Sequence, residues 1–314
     1  SGSTLDFNRG SLKNQGNMIL NGNALSSETS TVNSYLEFSG SGVPQTLTGT
    51  GTFTGRISNL GVSNPLGLTL STPLVTENVY LIAGTITNSS NITFGSGSTL
   101  SRFVQIGSAT NITSGGNFDS SPNFNMGTGT YTIYYLKETT PRVIGFEIPS
   151  TKSINSLYLD NASGLTISGG SLEVLNTLTL ANGIINTTNT NSIIHGSPTL
   201  AGTITGGSTT SYIKGPLVRT INNTNNAFII FPVGKSNYAP IYLAPTTTTV
   251  STFKAESFET NTGTPSSLIM NLSATRRWEA SLLSGAFTDM RVGLGNGSIT
   301  ASNIPVQAPS ASGI

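Results

Sequence analysis

The stretch Ile57-Ser-Asn-Leu60-Gly-Val-Ser-Asn64-Pro-Leu-Gly67-Leu-Thr-Leu70-Ser71 returns as Ile154-Asn-Ser-Leu157-Tyr-Leu-Asp-Asn161-Ala-Ser-Gly164-Leu-Thr-Ile167-Ser168, every match lying 97 positions downstream. Further on, Leu81-Ile-Ala-Gly84-Thr-Ile is answered by Leu180-Ala-Asn-Gly183-Ile-Ile at an offset of 99, so a two-residue insertion separates the matched halves and marks a loop. Upstream, Gly10-Ser11, Asn14 and Pro44 recur as Gly107-Ser108, Asn111 and Pro141. Two copies of one block therefore fill about residues 1–99 and 100–200.

Inside each copy, short apolar runs alternate with turn residues: Met18-Ile-Leu20, Tyr35-Leu-Glu-Phe38, Leu66-Gly-Leu-Thr-Leu70, Val79-Tyr-Leu-Ile82, Ile92-Thr-Phe94. Strands spaced about ten residues apart indicate an all-β fold. A sandwich does not ordinarily copy a long block into its neighbour with a two-residue slip, whereas a solenoid of stacked units does. The expectation is a right-handed parallel β-helix over residues 1–207, each block giving about four coils of roughly 20 to 29 residues. Leu, Ile and Val face inward and Thr, Ser and Asn outward, with glycines such as Gly95, Gly97, Gly169 and Gly170 turning the corners.

Past Gly206-Gly207 the pattern coarsens. Ser211-Tyr-Ile-Lys-Gly215-Pro-Leu-Val-Arg-Thr220 is a longer alternating strand, Asn222–Asn226 a turn, and Phe253-Lys-Ala-Glu-Ser-Phe258 and Arg276-Arg-Trp278-Glu two more strands. Residues 208–314 are expected to form an antiparallel β-sandwich-like domain, with Trp278, Phe228, Phe231 and Phe253 in its core. Gln307–Ile314 shows no closing strand, so further domains of a longer chain are expected. The Ser1-Gly-Ser-Thr4 start has neither basic nor apolar region, so any signal peptide is expected to have been removed already.

Composition narrows the function. Only 9% of the 314 residues are charged and the net charge is +1, which gives no clustered basic surface for nucleic acid. There is no cysteine, hence neither disulfide nor thiolate chemistry. No apolar run approaches the roughly 18 residues of a membrane span. A low-charge chain rich in Thr, Ser and Asn and free of thiols fits secretion.

Leu178-Thr-Leu-Ala-Asn-Gly183-Ile-Ile, Tyr212-Ile-Lys-Gly215-Pro-Leu-Val-Arg219, Phe231-Pro-Val-Gly-Lys235-Ser-Asn-Tyr238-Ala-Pro240 and Arg277-Trp278 follow one another in an order that resembles repetitive β-helical, adhesin-like surface proteins of Bacteroidetes exported by the type IX secretion system. The Phe-Pro-Val-Gly-Lys segment after the Gly-Pro strand carries most of the likeness. The C-terminal sorting domain of such proteins is missing from this sequence, and Arg276-Arg277 precedes the tryptophan where an aromatic often stands. The resemblance implies a secreted or cell-surface location, adhesion, and passage through the type IX machinery by analogy. It implies no shared active site.

Reactive side chains are scattered. Thirteen acids include Glu37, Glu77, Asp119, Glu138, Glu147, Asp160 and Glu173, none in an Asp-x-Asp cluster. Glu256 and Glu259 sit an odd number of positions apart, so a strand sends them to opposite faces. The single histidine, His195, has no Gly-x-Ser-x-Gly elbow and no second His to share a metal. Gly293-Leu-Gly-Asn-Gly297 lacks the following helix of a phosphate loop. No catalytic residue, metal ligand or cofactor is expected, and the Asn-x-Ser/Thr sequons are what chance produces in such a composition.

Two surface features carry binding expectations. Thr46, Thr48, Thr50, Thr52 and Thr54 alternate, which on one strand would place five threonines on one face. Tyr131, Tyr135 and Tyr158 could offer flat rings to sugars, Tyr131 and Tyr135 sharing a face from which Tyr134 points away. The leading reading is a non-catalytic extracellular scaffold or adhesin segment that binds glycans or cell surfaces by multivalent weak contacts. A carbohydrate-active enzyme (a polysaccharide lyase or glycoside hydrolase) or its carbohydrate-binding module is the alternative, and ice binding is the remote third.

Overall fold

The computed structural model describes residues 5–6, 10–21, 24–25, 34–200, 202–221, 227–246, 249–260 and 275–295. It is all β, with a single 3-10 turn at Ser89–Asn91 and no helix among the described residues long and apolar enough to cross a membrane. The turn expected at Asn222–Asn226 and the tail Gln307–Ile314 lie outside the described residues. The chain divides into two compact units, Ser1–Ser163 and Gly164–Ile314.

In the first unit the chain revisits the same faces in sequence. One sheet runs Ser11–Asn14, Tyr35–Phe38, Ile57–Val62, Leu74–Leu81, Arg102–Gly107, Tyr131–Leu136, Ser153–Asp160. A second runs Met18–Ile19, Gln45–Thr48, Leu68–Leu70, Ala83–Thr87, Gly115–Phe118, and a third Leu5–Asp6, Ala24–Leu25, Phe53–Thr54. Every pairing between these strands is parallel. The return to the first sheet takes 24, 24, 19, 25, 29 and 24 residues in turn, measured between the register partners Ser11 and Tyr35, Tyr35 and Asn59, Asn59 and Asn78, Asn78 and Phe103, Arg102 and Tyr131, and Thr132 and Ser156.

Strand alternation then dictates the core. Leu36, Leu60, Val79, Val104, Ile133 and Leu157 stand opposite one another across six strands, as do Phe38, Val62, Leu81, Ile106, Tyr135 and Leu159. All twelve side chains are buried. The matched halves of the repeat adopt matching geometry. Asn64 and Asn161 are both fully buried, and each side-chain oxygen accepts an N–H two residues on, from Leu66 and Ser163. Gly67 and Gly164 follow at φ 88° and 92°, a backbone region that glycine occupies without strain.

Corners of the first unit carry buried charge. Arg102 is fully buried; its Nε donates to Glu77 Oε2 at 2.5 Å, and its terminal nitrogens donate to the carbonyls of Leu100 and Met126 and the Ser98 hydroxyl. Arg56 reaches the other Glu77 oxygen at 3.1 Å. One guanidinium thus ties two loop segments, the one holding Ser98 and Leu100 and the one holding Met126, to the neighbouring strand.

In the second unit, Leu165–Thr166, Ile185–Asn186, Ile213–Lys214 and Val233–Gly234 pair in parallel, and Ile193–His195 pairs in parallel with Leu217–Ile221. Parallel returns therefore continue well beyond the expected boundary at residue 208. Among the described strands, antiparallel pairing joins Ser251–Phe258 to Leu217–Ile221 and to Arg277–Ser284, and in a second group joins Ile241–Thr246 to Ile229–Phe231 and to Asp289–Leu294. Phe231 and Phe253 are core as expected, but Phe228 is 51% exposed, beneath the Arg291 guanidinium, and Trp278 is half-buried, donating to the Ala239 carbonyl.

Two stability measurements test these buried polar groups. Removing one partner of a buried ion pair costs about 3 to 5 kcal/mol, so Arg102→Met is expected to destabilise the first unit by that order in chemical denaturation. His195 is fully buried opposite Arg219, and burial together with that positive charge pushes its imidazole down to about 3. The unfolded chain takes up this proton near pH 6.5 and the folded chain does not, so stability falls as pH drops below 6.5, by up to about 1.4 kcal/mol per pH unit. Fluorescence of Trp278, the single tryptophan and in the same unit, should show a denaturation midpoint that declines from pH 7 to pH 4.5, and declines less in His195→Gln.

Candidate functional site

On the first sheet of the first unit, the same alternation that buries the aliphatic columns sends the intervening residues outward. Two outer columns result: Tyr35, Asn59, Asn78, Phe103, Thr132, Ser156, and beside it Glu37, Gly61, Tyr80, Gln105, Tyr134, Tyr158. The aromatic members touch in an unbroken row. Ring centroids lie 5.7 Å apart for Tyr35 and Tyr80, 5.2 Å for Tyr80 and Phe103, 5.7 Å for Phe103 and Tyr134, and 5.7 Å for Tyr134 and Tyr158. The first three contacts are edge-to-face, the orientation the ring quadrupole favours. All five rings are half-buried.

Gly61 makes the row continuous. Its strand lies between those of Tyr35 and Tyr80, and a Cβ at this position would stand 2.4 Å from the Tyr35 hydroxyl oxygen. Tyr35 thus lies over the space a side chain would fill and reaches Tyr80 across an intervening strand. Burial, the Glu37 carboxylate and the Tyr80 ring push the Tyr35 phenol up to about 12, and burial also raises that of Tyr80. Both are neutral hydrogen-bonding groups at physiological pH.

The surroundings are polar and nearly uncharged. Asn78 Nδ2 donates to Asn59 Oδ1 at 3.1 Å, and Gln105 Nε2 donates to the Gly107 carbonyl at 3.1 Å. Glu37, the one charged residue in the two columns, accepts from Ser63 Oγ at 2.8 Å and pairs with Lys13 at 3.3 Å.

Of the expected sugar-binding tyrosines, only Tyr158 belongs to this row. Tyr131 and Tyr135 occupy inward positions, 4% and 0% exposed. The Tyr131 hydroxyl donates to the Glu147 carbonyl at 2.7 Å, and that of Tyr135 to Glu147 Oε1 at 2.8 Å. Tyr131 also packs against Phe94 and Phe124. They cannot present a ring to a ligand, and burial holds both phenols well above their ordinary range. Tyr35, Tyr80, Phe103 and Tyr134 are the residues missed. A local signal existed for Tyr80, set between inward-facing aliphatics in Val79-Tyr80-Leu81 as Tyr158 is in Leu157-Tyr158-Leu159, whereas Tyr35, Phe103 and Tyr134 each have a serine, an arginine or a tyrosine as one neighbour.

The threonine run is split by its glycines. The strand Gln45–Thr48 ends before Gly49 at φ 119°, and Phe53–Thr54 belongs to a different sheet, so the five residues do not share a face. Thr46 and Thr48 point outward, Thr50 and Thr52 lie in the corner, and the Thr54 side chain is outside the described set. Thr46 instead stands opposite Thr69, and Thr69 opposite Thr87, a file of three on successive strands.

The acids are engaged in structure. Buried Glu138 accepts from Arg142 Nε at 2.9 Å and from Asn161 Nδ2, and Arg142 also binds the Asn117 side-chain oxygen; burial raises the Glu138 carboxyl against the pull of Arg142. Glu256 pairs with Lys235 at 2.5 Å, while Glu259 accepts the backbone N–H groups of Ser236 and Asn237. His195 Nε2 lies 3.2 Å from the Asn176 carbonyl oxygen, inside the second unit. Among the described residues no three His, Asp or Glu side chains gather as a metal site requires.

No protein-family model matches the chain, and neither curated proteins nor solved structures contain a significant match.

Gly61→Val tests how the row is assembled. Valine suits a strand, so the effect should fall on Tyr35 rather than on folding. The tyrosine near-ultraviolet circular dichroism should change, and one phenol that titrates near 12 in the native protein should titrate closer to 10 in the variant, as read by tyrosinate absorbance.

Proposed function

We propose that this chain is a non-catalytic segment of a secreted or cell-surface bacterial protein, of the adhesin type, which holds glycans or glycan-coated surfaces by many weak contacts. The observation that carries this reading is the row of five half-buried aromatic rings on the outer face of the first unit. The parallel stack needs only small polar residues there, and it places Thr132 and Ser156 at neighbouring outer positions. Rings held edge-to-face on a fixed backbone lose little freedom on binding, the condition for useful weak contacts. Multiplied over copies of such a segment, weak contacts add to avidity without a deep pocket.

Within the same proposal the parallel returns are coils of a right-handed β-helix, the hand that about 98% of parallel crossovers take. The 97-residue match in sequence then reflects duplication of a block of coils, and the antiparallel strands after Gly234 cover the last coil's edge. Export by type IX machinery follows only from the family resemblance.

An enzyme is the weaker reading, because Glu138 and Glu147, two acids of the first unit that act on each other electrostatically, lie buried among Arg142, Asn161 and Tyr135. Ice binding has the file Thr46, Thr69, Thr87 in its favour, but a file of three covers little of a crystal face.

The test is co-sedimentation of the purified chain with insoluble polysaccharides and with intact cells, followed by sizing of each polysaccharide. Binding with unchanged polymer length is the expected result. Shortened chains would show an enzyme, and absence of binding to every surface would remove the adhesin reading.

A further inference from the structure

We infer that the outer row Tyr35–Tyr80–Phe103–Tyr134–Tyr158 is a subsite array for one extended, neutral, β-linked polysaccharide lying across the strands, with successive sugars meeting the exposed faces and edges of successive rings. The inference rests on the glycan-binding reading and gives it a ligand class, a direction and a length.

Direction follows from the placement of the rings. The row crosses six adjacent strands, Tyr35–Phe38 to Ser153–Asp160, always one ring contact to the next. A ligand running along a strand would meet no more than two of the rings. Five strand spacings of about 4.8 Å give a span of roughly 24 Å, which matches about four to five pyranose units of a straight chain. A helical or strongly branched glycan of that size could not keep all five rings in contact.

Neutrality follows from the side chains beside the rings. The two outer columns contain Asn59, Asn78, Gln105, Thr132 and Ser156, and their one charged member, Glu37, is already paired with Lys13. A charged polymer meets only the paired Glu37 and Lys13 at one end and Asp160 beside Tyr158 at the other, whereas the amides and hydroxyls along the rest of the row suit sugar hydroxyls. Gln105 stands between Tyr80 and Tyr134 in one register, so an amide alternates with rings along the path. The equatorial substituents of β-linked hexoses leave flat C–H faces for rings and direct hydroxyls sideways to such groups.

The experiment titrates the intact chain with defined β-1,4-linked gluco-, manno- and xylo-oligosaccharides from two to seven units, and with polygalacturonate as the charged control. For at least one neutral series, affinity should rise with each added unit up to about five and then level off, while polygalacturonate binds at least tenfold more weakly. Tyr80→Ala and Tyr134→Ala should each weaken the longest oligosaccharide at least tenfold with an unchanged circular dichroism spectrum; Tyr80→Phe should keep binding within about threefold. If Tyr134→Ala perturbs the fold, Tyr158→Ala at the row's end carries the same test through a plateau one unit shorter. Length-independent affinity, preference for the charged polymer, or full binding by the folded alanine variants would overturn this inference, even where the native chain still binds cells or polysaccharides. A native chain that binds no surface at all would remove the underlying reading instead.

Discussion

Everything in the first unit depends on parallel strands stacking in register. Because the side-chain period is two, each outward or inward position on one strand lies directly above the same kind of position on the next. The column Leu36, Leu60, Val79, Val104, Ile133, Leu157 is the inner consequence. Each such side chain, buried fully, contributes about 1.5 to 3 kcal/mol, and a one-residue slip would turn the whole set to solvent. The aromatic row is the outer consequence of the same register, so core and surface feature are held by one constraint.

Variable return lengths of 19 to 29 residues must be absorbed without disturbing that register. The corners do it with buried polar side chains as well as glycine. Gln45, following Pro44, is fully buried; its amide donates to the Asn14 and Gly16 carbonyls and its oxygen accepts from Gly40 and Asn64. Arg142, following Pro141 at the matching place in the second copy of the repeat, binds Glu138 and the Asn117 oxygen. Both side chains satisfy loop groups that would otherwise be buried without partners, a greater penalty than the modest gain of each bond. A hydrophobic replacement would fill the volume but leave the loop positions undefined.

This division explains what could be read from the sequence. Alternation shows which residues share a face, and the repeat shows that strands are stacked, so the all-β parallel core was legible. The columns were not, since two strands meet only at a register set by the length of the corner between them, and those lengths vary. Tyr131 and Tyr135 were correctly paired on one face, yet nothing local says that this face is the inner one; Arg102 opposite Tyr131 is itself buried and charged. The threonine run misled because glycine at φ 119° ends the strand while the Thr-x-Thr alternation continues. The parallel pairing beyond residue 208 was not legible for a related reason. Periodicity reports a strand but not its direction, and the parallel return to Val233–Gly234 looks in sequence like the antiparallel strands beyond it.

The outer row also bears on why such a surface is stable while unoccupied. Five half-exposed rings in isolation would be an aggregation liability, since exposed apolar patches seek partners. Here neighbouring rings pack on one another, three of the four contacts edge-to-face and the last tilted, an arrangement worth about 0.5 to 1.5 kcal/mol per pair beyond area burial. Part of each ring is thereby covered by its neighbours, and what remains open is a narrow strip flanked by Asn78, Gln105, Thr132 and Ser156 rather than a broad apolar patch. Gly61 completes the arrangement by letting Tyr35 lean onto Tyr80 instead of standing alone. A strip that is self-packed, rigid and bordered by amides and hydroxyls suits ligands with one apolar face and polar edges. The packing that limits unwanted association is therefore the same packing that holds the rings in position to bind.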